Sequence, residues 1–182
     1  MTTFGMPYFL EDLTGELTGS EFNDLYNRTR LAFRCTLHDA SHTAYMVYDL
    51  SASGNGYNAP VACLDFGANN ALGTVKIGDK DNVSMSVYLS KVGSFGSAKT
   101  RKFIASDGQE YRWTHKPGDD AEWTCTNTNG YHVASYSLKP AGEPQYPSSS
   151  GCMLTVEEQY PHLVAELLAS LLIMRHIAKY NL

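Results

Sequence analysis

Between Lys91 and Lys102 the sequence reads Lys-Val-Gly-Ser-Phe-Gly-Ser-Ala-Lys-Thr-Arg-Lys, with four cations around two glycines. Glycines let backbone N–H groups approach an oxyanion, and a guanidinium such as Arg101 can donate a bidentate pair to it. Lys91, Lys99, Arg101 and Lys102, with Arg112 further along, are therefore candidate ligands for an anionic group. Eight cations stand against four carboxylates between Lys76 and Lys116, whereas the rest of the chain sets six against fifteen. A positive field confined to one region of an acidic protein suits a phospholipid headgroup or a phosphorylated partner. The run lacks the Gly-Lys-Ser/Thr of a P-loop, and it equally suits a solvated hairpin whose charges keep a sheet edge soluble.

A second candidate is Glu166, which with Ser170 and His162 makes a polar i, i+4 stripe on an otherwise apolar segment. A carboxylate in such a place can serve as a cavity acid or base, or be a structural group paired with an inward Arg or Lys or with a strand's backbone. His38-Asp39-Ala40-Ser41-His42 gathers two imidazoles and a carboxylate, but at a hairpin tip with no third ligand close by, so no metal is expected. Tyr111, Trp113 and Trp123 share one alternating phase and could stack a ligand, although core packing accounts for them without one. The cysteines Cys35, Cys63, Cys125 and Cys152 form no Cys-x-x-Cys pair and read as reduced core residues. No Gly-x-Ser-x-Gly elbow occurs, so no catalytic residue is named and no cofactor is expected.

The elements that must position these residues are mostly short strands. Alternating runs cover 31–37, 43–50, 61–66, 72–77, 83–90, 100–105, 110–114, 121–126, 131–138 and 152–156. In the run Val83-Ser84-Met85-Ser86-Val87-Tyr88-Leu89-Ser90, apolar side chains share one face and serines the other, which predicts a half-buried strand. Ser53 to Gly56, Gly67 to Asn70, Gly78-Asp79, Gly93 to Gly96, Asp107-Gly108, Pro117 to Asp119 and Asn129-Gly130 punctuate them, and the Asp-Gly and Asn-Gly pairs predict type I′ hairpins. Residues 1–22, acidic with Gly5, Gly15 and Gly19, read as a weakly ordered arm or first hairpin. Residues 23–182 read as one domain.

After a Pro/Ser-rich loop and a last strand, residues 157–180 predict a helix. Its stretch from Leu163 to Met174 is apolar nearly all round and must be buried on most of its surface. A bilayer span needs about 20 apolar residues, and this stretch is shorter and carries Glu166. The interior of a barrel built from the preceding strands is the favoured burial site, because barrels need their interiors filled.

Many antiparallel strands followed by one very apolar helix resemble the tubby C-terminal-like superfold shared by tubby proteins, phospholipid scramblases and LURP-one-related proteins. In detail the chain resembles a fungal, mostly mushroom-derived, domain family of unknown function placed near that superfold. The residues that carry this are Tyr45-Met46-Val47-Tyr48-Asp49-Leu50, Phe103-Ile104-Ala105-Ser106-Asp107-Gly108-Gln109-Glu110-Tyr111-Arg112-Trp113 and the helix. The resemblance runs from about Leu25 onward and implies a β-barrel of about ten to twelve antiparallel strands enclosing the helix. Phosphoinositide binding by tubby proteins has no residue-by-residue counterpart in this sequence.

With 182 residues, 18% charged, a net charge of −5 and a pI near 5.6, a nucleic-acid binder held by bulk positive charge is excluded. The N-terminal stretch Met1 to Leu13 lacks the basic start of a secretory signal, so the expected setting is cytoplasmic, peripheral to membranes and without a transmembrane span. The leading expectation is a non-catalytic binding or regulatory module for an anionic phospholipid headgroup or phosphorylated partner. The alternative is a barrel enzyme or carrier with a hydrophobic molecule in an internal cavity, where Glu166 or a barrel tyrosine acts as acid or base. A third is a homo-oligomer assembled through strand edges or the helix.

Overall fold

The structure, a computed structural model, describes residues 5–51, 59–93, 99–116, 122–139, 142, 144 and 147–182. The expected turns at Ser53 to Gly56 and Pro117 to Asp119, and the Ser94 to Ala98 part of the basic loop, lie outside the described residues. The first strands are β1 (Tyr8–Asp12), β2 (Gly19–Asp24), β3 (Arg30–His38), β4 (His42–Asp49), β5 (Ala62–Gly67) and β6 (Thr74–Ile77). A short β7 (Val83–Ser84), a single helical turn α1 (Met85–Tyr88) and a short β8 (Ser90–Lys91) follow. Then come β9 (Thr100–Ile104), β10 (Glu110–Lys116), β11 (Glu122–Asn127), β12 (His132–Ser137) and β13 (Cys152–Val156). A 3-10 turn at Pro161–Leu163 leads into the helix α2 (Val164–Tyr180), so the helical segment starts four residues later than Glu157.

The 13 strands form one antiparallel sheet in the order β7-β6-β5-β4-β3-β2-β1-β13-β12-β11-β10-β9-β8. Residues 1–22, expected as an arm or first hairpin, include β1 and part of β2, which sit in the middle of this sheet with Leu10 and Phe22 fully buried. Laid flat, such a sheet would be about 55–60 Å wide. Its edge strands β7 and β8 are nevertheless joined by residues 85–89 alone, a connection that reaches about 22 Å at most. The sheet therefore curls far enough to bring its two edges within that reach of each other. The expected barrel is not closed by hydrogen bonds, because β7 and β8 do not pair with each other; the seam is bridged by α1.

This corrects the strand expected over Val83–Ser90. Its alternation satisfied period two, but Met85 and Leu89 are also spaced i, i+4, and a helical turn buries both while leaving Val87 outside at 72% exposure. The Leu89 N–H bonds the Met85 carbonyl at 2.8 Å, closing the turn.

The Asp107-Gly108 and Asn129-Gly130 hairpins form, with a turn other than type I′. Only the glycines have positive φ, 79° in both. The Gly108 N–H bonds the Ala105 carbonyl and the Gly130 N–H bonds the Asn127 carbonyl, each at 3.0 Å. These are type I turns closed by a glycine bulge. The Asp107 and Asn127 side chains accept backbone N–H groups inside their turns, which holds that geometry.

Helix α2 lies within the curl, with twelve of its 17 residues buried. It is held from several directions. The stripe expected on it faces β9 and β10: Trp113 Nε1 donates to Ser170 Oγ at 2.9 Å, and His162 Nε2 lies 3.5 Å from Asp107 Oδ2. On another side, His176 stacks on Phe66 with centroids 3.9 Å apart and bonds the Asn70 carbonyl at 2.8 Å. On a third, Arg175 covers the Tyr136 ring and donates to the Gly15 carbonyl at 2.6 Å. Buried Asp12 accepts the Tyr136 hydroxyl at 2.8 Å and Ser20 Oγ at 2.5 Å, locking β1, β2 and β12 together beneath Arg175. The stretch Pro161–Tyr180 is long and apolar enough to cross a membrane by length and composition, and 72% of its apolar window is buried against the sheet.

Candidate functional site

The five cations expected to share an anionic ligand are distributed over both faces of the sheet. On β9, alternation turns Arg101 and Phe103 inward and Lys102 outward. Arg101 is 3% exposed; its guanidinium donates to the Leu89 carbonyl at 3.1 Å and to the Leu182 backbone oxygen at 3.3 Å. Burial draws its pKa below the ordinary arginine value. It therefore fastens the end of α1 to the end of the chain, and its phase with Phe103 in the sequence is the signal that places it inside.

Lys102 and Arg112 are register partners on the outer face. Lys102 Nζ pairs with Glu110 Oε2 at 2.8 Å. Arg112 is exposed, and Lys91 is exposed at the edge of the sheet as the register partner of Arg101. Lys99 is half-buried and its carbonyl accepts the His115 N–H. The structure thus brings Lys102 and Arg112 together on the outer face, while Lys91 stands at the sheet edge opposite the buried Arg101 and shares that residue's side of the strand pair.

Around these cations the seam carries exposed aliphatic side chains. Val83 on β7 is 40% exposed, Val87 on α1 72% and Ile104 at the end of β9 56%. Tyr88 packs on Phe103 with ring centroids 5.5 Å apart, so α1 lies against β9 and Val87 projects from the same region as Ile104. Lys76 on β6 is exposed on the other side of the seam. The strands that flank the seam thus carry both exposed aliphatic side chains and the exposed cations Lys76, Lys91 and Arg112.

Glu166 is 4% exposed and lies in the first turn of α2. Its Oε1 accepts the Tyr88 hydroxyl at 3.0 Å and its Oε2 the Ser106 backbone N–H at 2.8 Å. Among the described residues no strand lysine or arginine meets it; a tyrosine from α1 and a turn N–H take that place. Burial, then the Glu166 charge, pushes the Tyr88 pKa well above its usual value, so the phenol stays a donor. The interior of the curl is filled by α2, and Glu166 lines a cleft at one end of the molecule.

At the β3–β4 tip, Asp39 Oδ1 accepts the Ser41 hydroxyl, the Ser41 N–H and the His42 N–H, and these donors hold its carboxyl down to about 2. His38 bonds Thr43 instead. Among the described residues no group of three or more His, Cys, Asp or Glu side chains is placed to hold a metal ion. Tyr111, Trp113 and Trp123 are buried in the core; the four cysteines are free thiols, but only Cys125 and Cys152 are buried, while Cys63 is half-buried and Cys35, expected in the core, is exposed on β3.

A family model described as "Family of unknown function (DUF6593)" matches residues 18–180. No curated protein matches the chain, and no solved structure does.

Proposed function

The chain belongs to that family of unknown function, and from its own geometry we propose that it is a non-catalytic module that docks its seam on an anionic phospholipid surface. The observation that carries this reading is the exposure of Val87 and Ile104 at a seam whose flanking strands also carry the exposed Lys91 and the outward register pair Lys102 and Arg112. Exposed aliphatic groups gain by entering the headgroup boundary, and each nearby cation adds about 1 kcal/mol at an anionic leaflet. The filled interior favours surface binding over a substrate held within the sheet. The tubby-like architecture belongs to the same proposal, supported by the order of strands, the curl and the buried last helix. Such a role places the protein in the cytoplasm, peripheral to membranes.

Vesicle co-sedimentation tests it. The protein should pellet with phosphatidylserine-rich vesicles and not with phosphatidylcholine alone. Salt should weaken the association as the screening length falls from about 10 Å at 0.1 M to about 3 Å at 1 M. Arg112→Glu combined with Lys91→Glu should abolish binding without unfolding the protein, and Val87→Ser should weaken it. Equal pelleting with both vesicles, unchanged binding by the charge-reversed variant, or capture of phosphopeptides with no vesicle binding would each overturn the lipid reading.

A further inference from the structure

Where the first turn of α2 meets the end of the sheet, a cleft of about 460 Å³ opens, with Leu31, Ile77 and Val164 among its walls. That volume lies in the range of small-molecule sites. Its charged lining is unbalanced: the carboxylates of Asp49, Asp79 and Glu166 stand against the single ammonium of Lys80. His162 also lines it and is engaged with Asp107.

Glu166 is the telling member. It is buried, yet among the described residues no cation lies within ion-pair distance of it; its two donors are the neutral Tyr88 hydroxyl and the Ser106 N–H. The two carboxyl oxygens offer about four lone-pair sites, so acceptor capacity remains beside the two bonds already made. A cationic donor entering beside a carboxyl that has no counter-ion makes a charge-assisted hydrogen bond, roughly twice as strong as a neutral one.

We propose that this cleft binds a small amine: an ammonium group directed at Glu166, with Asp49 and Asp79 adding negative field, and an apolar body against Leu31, Ile77 and Val164. The site selects the opposite charge to the cationic seam, so amine binding stands or falls independently of lipid binding.

Titration calorimetry and amide chemical shifts with benzylammonium test this, with benzyl alcohol and benzoate as neutral and anionic counterparts of the same shape. Benzylammonium should bind saturably, shift the amides of Ser106 and Ala165, and exceed both counterparts in affinity by at least about tenfold, as a charge-assisted hydrogen bond implies. Glu166→Gln keeps side-chain shape and an acceptor for Tyr88, and should lower amine affinity by a similar factor. Asp79→Asn changes an exposed rim residue, so it reports on the folded protein even if the buried substitution disturbs folding; it should lower affinity several-fold. Equal binding of the three probes, unaltered affinity in the variants, or no saturable binding of benzylammonium would overturn the proposal.

Discussion

The Tyr88 hydroxyl donates to the Glu166 carboxylate at 3.0 Å across 78 residues of sequence. This bond links the turn that joins the two edges of the sheet to the helix that fills it. Tyr88→Phe should leave the buried carboxylate with one donor and cost about 1–3 kcal/mol, a fall of roughly 2–4 °C in Tm per kcal/mol for a protein of this size. A double-mutant cycle with Glu166→Gln, followed by urea unfolding, should show coupling; strict additivity would mean that the contact contributes nothing.

Ser170 Oγ accepts the indole N–H of Trp113 and donates to the Leu167 carbonyl at 3.0 Å, with both side chains fully buried. Ser170→Ala should strand the indole donor and destabilise by about 1–3 kcal/mol. Unfolding monitored by tryptophan fluorescence measures it, and an unchanged midpoint would count against this register between helix and sheet.

Gly73 is fixed by its surroundings: a Cβ there would stand 2.0 Å from the Asp65 carbonyl oxygen, which is backbone and cannot turn aside. Gly73 also supplies the carbonyl that receives the Met85 N–H at 2.9 Å, the first bond into α1. Gly73→Ala should force β5 and β6 apart and cost at least about 1–3 kcal/mol. Thermal unfolding beside Gly78→Ala, where nothing lies within 4 Å, separates this clash from the φ strain expected at the control position.

Burial lowers the His176 pKa from its ordinary 6.5; the nearby Lys179 charge acts in the same sense, and the Asn70 carbonyl opposes them. Since the folded state holds this imidazole neutral, its stability contribution is complete above pH 6.5 and is lost as pH falls from there toward the folded-state value. Urea midpoints measured on either side of pH 6.5 should therefore drop on acidification. His176→Phe, which keeps a flat ring on Phe66, should reduce that drop, while His115, also lowered by burial, retains part of it.

The succession of strands and the buried last helix could be read from the chain because alternation and glycine-marked turns are local signals, and an all-round apolar helix has few places to go. The turn at Met85–Tyr88 was hidden, since Val83 to Leu89 satisfies periods of two and of four together. Its need arises only once thirteen strands must be brought edge to edge. Arg101 counted as a surface cation by charge, although its alternation with Phe103 placed it inside. The stripe of His162, Glu166 and Ser170 announced that α2 needed polar partners, but Asp107, Tyr88 and Trp113 come from the pairing register, which a single sequence does not encode locally. The same holds for the meeting of Asp49 and Asp79 with Glu166.

The account rests on α2 being the filling of a curled sheet in water. Amide hydrogen exchange in plain buffer tests this most directly. The amides of Leu167 to Met174 should exchange only through global unfolding, with protection equal to that of Trp113 and Leu154, on the order of 5–15 kcal/mol. Exchange of those helix amides far faster than the strand amides, or protection that develops only when detergent or lipid is added, would contradict it.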